Sequence, residues 1–305
     1  MEIVSFQGME IRRWDIGSST FLAAPERGAR LMNWHLNMAD GSVRDIIHWP
    51  ESFDSENFGS VHGGNPILFP FAGRCIRNGA PDRWLAPGGE VLPMPMHGFA
   101  RFSSFRVTSM DATTFVAELV PDDQARAAYP YDYKFSVLYR FCELSLQVSF
   151  ILENDGPFAI PWAAGHHFYF QLPWRRTLTR ADHHIRIPAR KTYQYREGGL
   201  LDKTDPPTGP VSMADPDLVN RIHYELTEPR ATFGPVNDEE QVSVAEVGGP
   251  EAGSRLTFVT WTEGSDAPYY CIEPWMAPPN APETKSARLV PPGGRDEFTV
   301  EVGLF

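Results

Sequence analysis

The sequence is poor in several features that whole classes of protein require. Cysteine is scarce: Cys75, Cys142 and Cys271 are the only three, widely spaced and without a C-x-x-C pair. That pattern argues against a disulfide framework and a thiolate zinc site, and the three read as reduced thiols. Positive charge is also short, with 27 Lys and Arg against 39 Asp and Glu, a net charge of −12. A chain this acidic lacks the field that draws proteins to nucleic acid or anionic membranes, so neither is an expected partner. No apolar run approaches the ~18 residues of a membrane span. The first residues, Met1 to Ser5, do not form a basic stretch leading into an apolar one, and the expected location is cytoplasmic. Helical periodicity is scarcely visible anywhere along the chain.

What the chain does contain is turns and large apolar side chains. It has 25 Gly and 28 Pro, with 20 Phe, 8 Trp and 10 Tyr, enough to build a sizeable core between many turns. Period-2 alternation is clearest in Phe135, Val137, Tyr139 and Phe141, followed by Leu144, Leu146, Val148, Phe150 and Leu152. The two runs meet at Cys142-Glu143 and predict a β-hairpin with one buried face. The same alternation marks Phe105-Val107, Phe115-Ala117-Leu119, Leu256-Phe258 and Phe298-Val300-Val302-Leu304, the last predicting a strand that closes a sheet. Residues 197–254, rich in Gly, Pro and Asp, read as long loops on the scaffold. Without internal repeats or a composition break, the chain is expected to form one all-β domain over residues 1–305, as a monomer or homodimer.

Four segments could carry chemistry. In N-P-I-L-F-P-F-A-G-R at 65–74, two prolines stiffen a loop that ends at Arg74. Its guanidinium suits sugar hydroxyls or an anion, and a structural ion pair is the plainer reading. In H-G-F-A-R at 97–101, a glycine beside His97 allows close backbone approach, although a histidine among apolar residues is often only a hydrogen-bonded core group. The third segment, G-H-H-F-Y-F at 165–170, places adjacent histidines on opposite faces of a strand, so at most one of His166 and His167 enters a given pocket. A metal site would need His97, His166, His167, His183 and His184 to meet, and no H-E-x-x-H or cysteine partner supports it; no metal is expected. In Y-Y-C-I-E-P-W at 269–275, Glu273 stands among aromatic and apolar residues. A carboxylate there is costly to bury ionised, and Pro274 holds Glu273 in extended backbone; a solvent-facing strand end is the alternative. Trp162, Trp174 and Trp275 lie nearby, with faces fit for pyranose C–H groups or for core packing.

Taken in order, N-P-x-L-F-P-x-x-G-R, H-G-F-A-R, G-x-H-x-Y-F and E-P-W resemble the aldose 1-epimerase (galactose mutarotase-like) family over essentially the whole chain. The resemblance implies an antiparallel β-supersandwich with few short helices and a sugar site in a concave face. It implies Glu273 as general base, His167 as general acid and His97 as a second histidine at the ring oxygen or anomeric centre. Arg74, Arg101 and Trp275 would be sugar contacts. No cofactor is implied, and the partner is a small-molecule sugar. The family's frequent proline after this histidine is Phe168 here. No aspartate matches the one with which galactose mutarotases hold hydroxyls; Asp182 and Asp202 are candidates. H-G-F-A-R, with Ser103 and Ser104 behind it, is also similar to the hexose-6-phosphate 1-epimerase branch, for which Arg74, Arg77, Arg101, Arg175 and Arg176 are candidate phosphate or sulfonate ligands. A carbohydrate-binding protein without catalysis and a metal-dependent sugar isomerase or lyase are the competing functions.

Overall fold

The computed structural model describes residues 1–196, 199–236, 240–248 and 256–305. Two antiparallel sheets, of thirteen and nine strands among the described residues, are packed face to face. The larger runs from Glu2–Phe6 through Ser19–Ala24 and Arg30–Asn37 to Phe168–Gln171, Tyr269–Trp275 and Thr257–Trp261, ending at Ala189–Tyr195 and Leu201–Thr204. The smaller has the hairpin Tyr133–Cys142 and Ser145–Asn154 near its middle. The helical segments among the described residues are short, with α-helix at Asp123–Ala128 and Ala281–Thr284. Neither is long and apolar enough to cross a membrane.

The predicted hairpin is present in register, from Tyr133 opposite Asn154 to Cys142 opposite Ser145. Phe135, Val137, Tyr139 and Phe141 are buried, as are Leu146, Val148, Phe150 and Leu152. Leu144 departs from the pattern because it occupies the turn and is exposed. The C-terminal strand Arg295–Leu304 lies inside the smaller sheet, between Ser145–Asn154 and Val242–Val247, rather than at its margin.

One sequence expectation fails in the region between the hairpin and the last strands. Residues 197–254 are not simply loops: Leu201–Thr204, Val211–Ser212, Arg221–Leu226, Arg230–Pro235 and Val242–Val247 all join the two sheets. These strands are two to six residues long, and Pro and Gly in the turns mask their alternation. Residues 197–198, 237–239 and 249–254 of that stretch lie outside the described residues.

Aromatic side chains fill the space between the sheets. Trp14 and Phe21 of the larger sheet meet Phe141 of the smaller with ring centroids 4.9 and 4.6 Å apart. Phe69 stacks on Phe135 at 3.8 Å. Because strand side chains alternate, the larger sheet has a second face turned away from this core. On Tyr269–Trp275, Tyr270 and Ile272 belong to the intersheet core, whereas Tyr269, Cys271 and Trp275 join smaller clusters on the outer side. Replacing Phe150, which packs on Phe135, His166 and Phe298, by Ala should cost about 3–5 kcal/mol. Urea unfolding measures this; a loss below about 1 kcal/mol would mean that the core is not packed as described.

Candidate active site

The outer face of the larger sheet carries a hollow of about 250 Å³, lined by Arg74, His97, Arg101, His167, Glu273 and Trp275 among others. The strands Phe168–Gln171 and Tyr269–Trp275 are paired neighbours. Glu273 projects from the second, and His167 immediately precedes the first. His166 and His167 do point to opposite sides: His166 stacks on Phe150 and Phe168 inside the sandwich, and His167 stacks on Tyr169 at 4.8 Å on the outer side. His183 and His184 belong to the smaller sheet. The five histidines therefore do not meet, and no three His, Cys, Asp or Glu side chains among the described residues form a metal-binding group.

The motifs that are distant in sequence are tied together by hydrogen bonds. Gly73 N–H donates to His97 Nδ1 at 3.1 Å, and His97 N–H donates back to the Gly73 carbonyl at 2.7 Å. Since Nδ1 accepts, neutral His97 carries its proton on Nε2. His97 is held with φ of +68°, an uncommon left-handed conformation, and Gly98 follows at +72°. A Cβ at Gly98 would stand 1.9 Å from the Phe69 carbonyl oxygen, so only glycine lets 97–101 lie against 65–74. Asn65 is fully buried and orders the next contact: its Oδ1 accepts from His167 N–H at 3.1 Å while Nδ2 donates to the Tyr139 hydroxyl at 2.9 Å. The first motif thus fixes the backbone of one histidine through Gly73 and of the other through Asn65.

Glu273 is 2% exposed. Its Oε2 accepts a hydrogen bond from Trp275 Nε1 at 3.2 Å, and its Oε1 lies 3.4 Å from His167 Nε2. The rings of His97 and His167 meet edge to face at 5.6 Å, and His97 meets Trp275 at 5.7 Å. Burial pushes the Glu273 carboxyl well above its usual range, opposed by the Trp275 bond. Burial, assisted by His97, Arg101 and Arg30, holds His167 well below the ordinary imidazole range. His97 is lowered to about 3 by burial, with Arg101 and Arg74 adding to the effect. Both directions disfavour charge and so favour a pair in which Glu273 holds the proton and His167 is neutral.

Among the arginines, Arg74 reaches the hollow and pairs with Asp82 at 3.4 Å. Arg101 also lines it, has no carboxylate partner among the described residues, and lies over the Phe102 ring at 4.6 Å. Arg77 is engaged by Glu283, and Arg175 pairs with Glu240 outside this hollow. The hydroxyl-binding candidates fall elsewhere: Asp182 caps a short 3-10 turn at Thr179, and Asp202 pairs with Arg196 on the surface. Ser103 donates to the Phe99 carbonyl. Trp162 is wholly buried in the core, and Trp174 faces a separate groove. The sequence reading missed His62, Tyr169, Tyr195, Asn220 and Trp261 of the lining. Tyr169 was legible, two residues beyond His167 on the same strand face; the others come from segments with no distinguishing pattern.

The buried imidazoles couple this geometry to stability. His97, His166, His167 and His223 all resist protonation in the fold because burial disfavours the cation, whereas in the unfolded chain they titrate near 6.5. The unfolded state therefore binds more protons below pH 6.5, and stability is lost as pH falls through that window. Glu273 acts oppositely: its contribution is complete below 4.5 and is lost as pH rises toward its raised folded value. With these four imidazoles, and His35, His48 and His183 shifted the same way by burial, set against one carboxyl, urea midpoints should fall between about pH 6.5 and 4.5, by up to about 1.4 kcal/mol per pH unit for each fully buried histidine. His97→Gln should flatten that slope; midpoints independent of pH would contradict the burial of these rings.

The aldose 1-epimerase family profile matches residues 15–223. The fold is shared with a galactose mutarotase-like protein of Clostridium acetobutylicum, at 16% identity, covering 100% of this chain and 98% of that chain with a TM-score of 0.82. It is shared with the Slr1438 protein of Synechocystis, at 22% identity over 100% of this chain and 99% of that one, TM-score 0.78. A galactose mutarotase related enzyme of Lactobacillus acidophilus is 17% identical over 97% of both chains, also with a TM-score of 0.78. No curated protein matches the sequence. The profile spans more than half of the chain, and the antiparallel two-sheet fold agrees: the chain belongs to the aldose 1-epimerase family.

Proposed function

We propose that the protein is a cofactor-free sugar 1-epimerase that interconverts the α and β anomers of an aldohexose. The observation that carries this reading is the meeting of Glu273, His167 and His97 in one hollow of about 250 Å³. Anomer exchange needs a proton removed from O1 and a proton delivered to the ring oxygen. With the shared proton on His167, Glu273 takes the O1 proton as His167 protonates the ring oxygen. The C1–ring oxygen bond breaks, its electron pair goes to the ring oxygen, and O1 and C1 become the aldehyde. After rotation about C1–C2, His167 recovers its proton from the hydroxyl, Glu273 returns one to O1, and the ring closes as the other anomer. Burial disfavours the ion-paired form, Glu273 ionised and His167 protonated, in the empty site, so the hydroxyls and ring oxygen of the bound sugar stabilise it, and the two groups exchange acid and base roles on the return step. Neutral His97, with its Nε2–H pointing away from the Gly73 clasp, supplies a donor at the ring oxygen or anomeric centre. Trp275 offers an aromatic face to the pyranose.

Polarimetry or NMR exchange on freshly dissolved α-glucose, α-galactose and their 6-phosphates tests the reading. Glu273→Gln should lower kcat by about 10²–10⁴-fold while leaving much of the sugar affinity, since a neutral isostere keeps the shape and loses the base. The acid limb of kcat/KM should fall below pH 6.5, because His167 takes a second proton into the pair only in more acidic solution. A folded protein that accelerates none of these sugars would contradict the proposal, and sugar binding without turnover would favour a carbohydrate-binding role.

A second reading of the substrate is favoured by Arg101, whose guanidinium faces the hollow with no carboxylate partner among the described residues. An anionic hexose, phosphorylated or sulfonated, would supply the missing charge, with Arg74 as second ligand. Arg101→Ala should then reduce kcat/KM for a hexose 6-phosphate by about tenfold or more, a loss of at least ~1.4 kcal/mol, and change the neutral hexose far less. Equal losses on both sugars would remove this alternative.

A further inference from the structure

A groove of about 1010 Å³ opens beside the catalytic hollow, and His62 lines both. We propose that this groove receives the further sugar units of a reducing oligosaccharide whose reducing-end aldose occupies the hollow, an inference that rests on the epimerase reading above. Size separates the two spaces: about 250 Å³ suits one hexose ring, and the groove has room for several.

The route between them is a short column of rings. His167 stacks on Tyr169 at 4.8 Å, and Tyr169 stacks on His62 at 5.9 Å. His62 Nδ1 lies 3.2 Å from the Tyr269 hydroxyl and 3.3 Å from Glu263, and both of those residues belong to the groove wall. The joint is therefore made of aromatic and hydrogen-bonding groups, and His62 is itself exposed. Epimerisation requires a free O1 and a closable ring, so further units must be attached through another hydroxyl and leave the hollow away from the reacting pair. The groove offers such a path on the far side of Tyr169 from His167.

The lining selects the class of occupant. Phe53, half-buried and edge to face with Trp49, presents a ring that suits the C–H faces of sugars, and the exposed Asn57 and Asp54 present planar polar groups that suit paired hydroxyls. Charge is mixed: Glu51 and Glu263 stand in the same lining as Arg176, and Arg44 and Arg175 are both held by Glu240. A groove balanced in this way favours a neutral polyhydroxylated chain over a polyanion or a polycation.

Two variants outside the catalytic hollow test the proposal with maltotriose and cellotriose as probes and glucose as the reference. Phe53→Ala removes a ring, and Ser60→Trp fills the groove from an exposed position. The wild-type protein should bind one of the trisaccharides more tightly than glucose by calorimetry and anomerise it with the higher kcat/KM. Either variant should lower that kcat/KM by about tenfold, with glucose unchanged within about twofold. Trisaccharide binding that is weakened by both variants supports the groove even if no sugar is anomerised, an outcome that would remove the catalytic reading alone. The groove proposal is overturned if glucose is anomerised but neither trisaccharide is bound or turned over better than glucose. It is equally overturned if the variants lower all sugars together.

Discussion

Everything at this site depends on placing a carboxyl and an imidazole side by side where water is largely excluded. Glu273 and His167 stand 3.4 Å apart, and each is less than a tenth exposed. In water the carboxyl would be ionised near neutral pH and the imidazole would titrate near 6.5; here burial raises one proton affinity and lowers the other. Their protonation becomes a property of the pair, and a single proton is retained between them. The surrounding architecture serves that arrangement. The large sheet supplies two adjacent strands for the pair, and the smaller sheet closes the core beneath, leaving the outer face of the first free to carry polar chemistry.

The supporting contacts explain how a site drawn from distant segments keeps its geometry. Asn65 holds the His167 backbone, and Gly73 holds His97 in one tautomer. Arg30, fully buried, donates to the carbonyls of Phe58, Val61 and Gly63 and lies over the Trp49 and Phe58 rings. It therefore braces the segment that leads to Asn65 and places His62 at the edge of the hollow. Asn65 and Arg30 lie outside the lining of the hollow, yet with Gly73 they leave His97 and His167 little freedom to reorganise, which is the condition under which oriented donors and bases act efficiently.

The sequence revealed the fold and part of the site unevenly, for physical reasons. The hairpin over Phe135 to Leu152 was visible because one face is buried along its whole length, and strict alternation follows from that. The strands within residues 201–247 were not, because each is short and interrupted by turn residues. Glu273 stood out as a charge in an aromatic run, and the opposite orientation of His166 and His167 followed from strand geometry alone. Arg74 and Arg101 were readable as candidates, but only coordinates distinguish the arginine that has Asp82 from the one with no carboxylate. Tyr195, Asn220 and Trp261 were invisible, since nothing in their neighbourhoods distinguishes a wall residue of the hollow from a core or surface residue.

The shared proton can be observed directly. Difference infrared spectra between the wild-type protein and Glu273→Gln, recorded near pH 7, report whether the Glu273 carboxyl is protonated in the empty site. The account predicts a carbonyl band of a protonated, buried carboxylic acid that is present in the wild type and lost in the variant, together with a neutral His167. Carboxylate bands alone, with His167 titrating as an ordinary imidazole near 6.5, would contradict it.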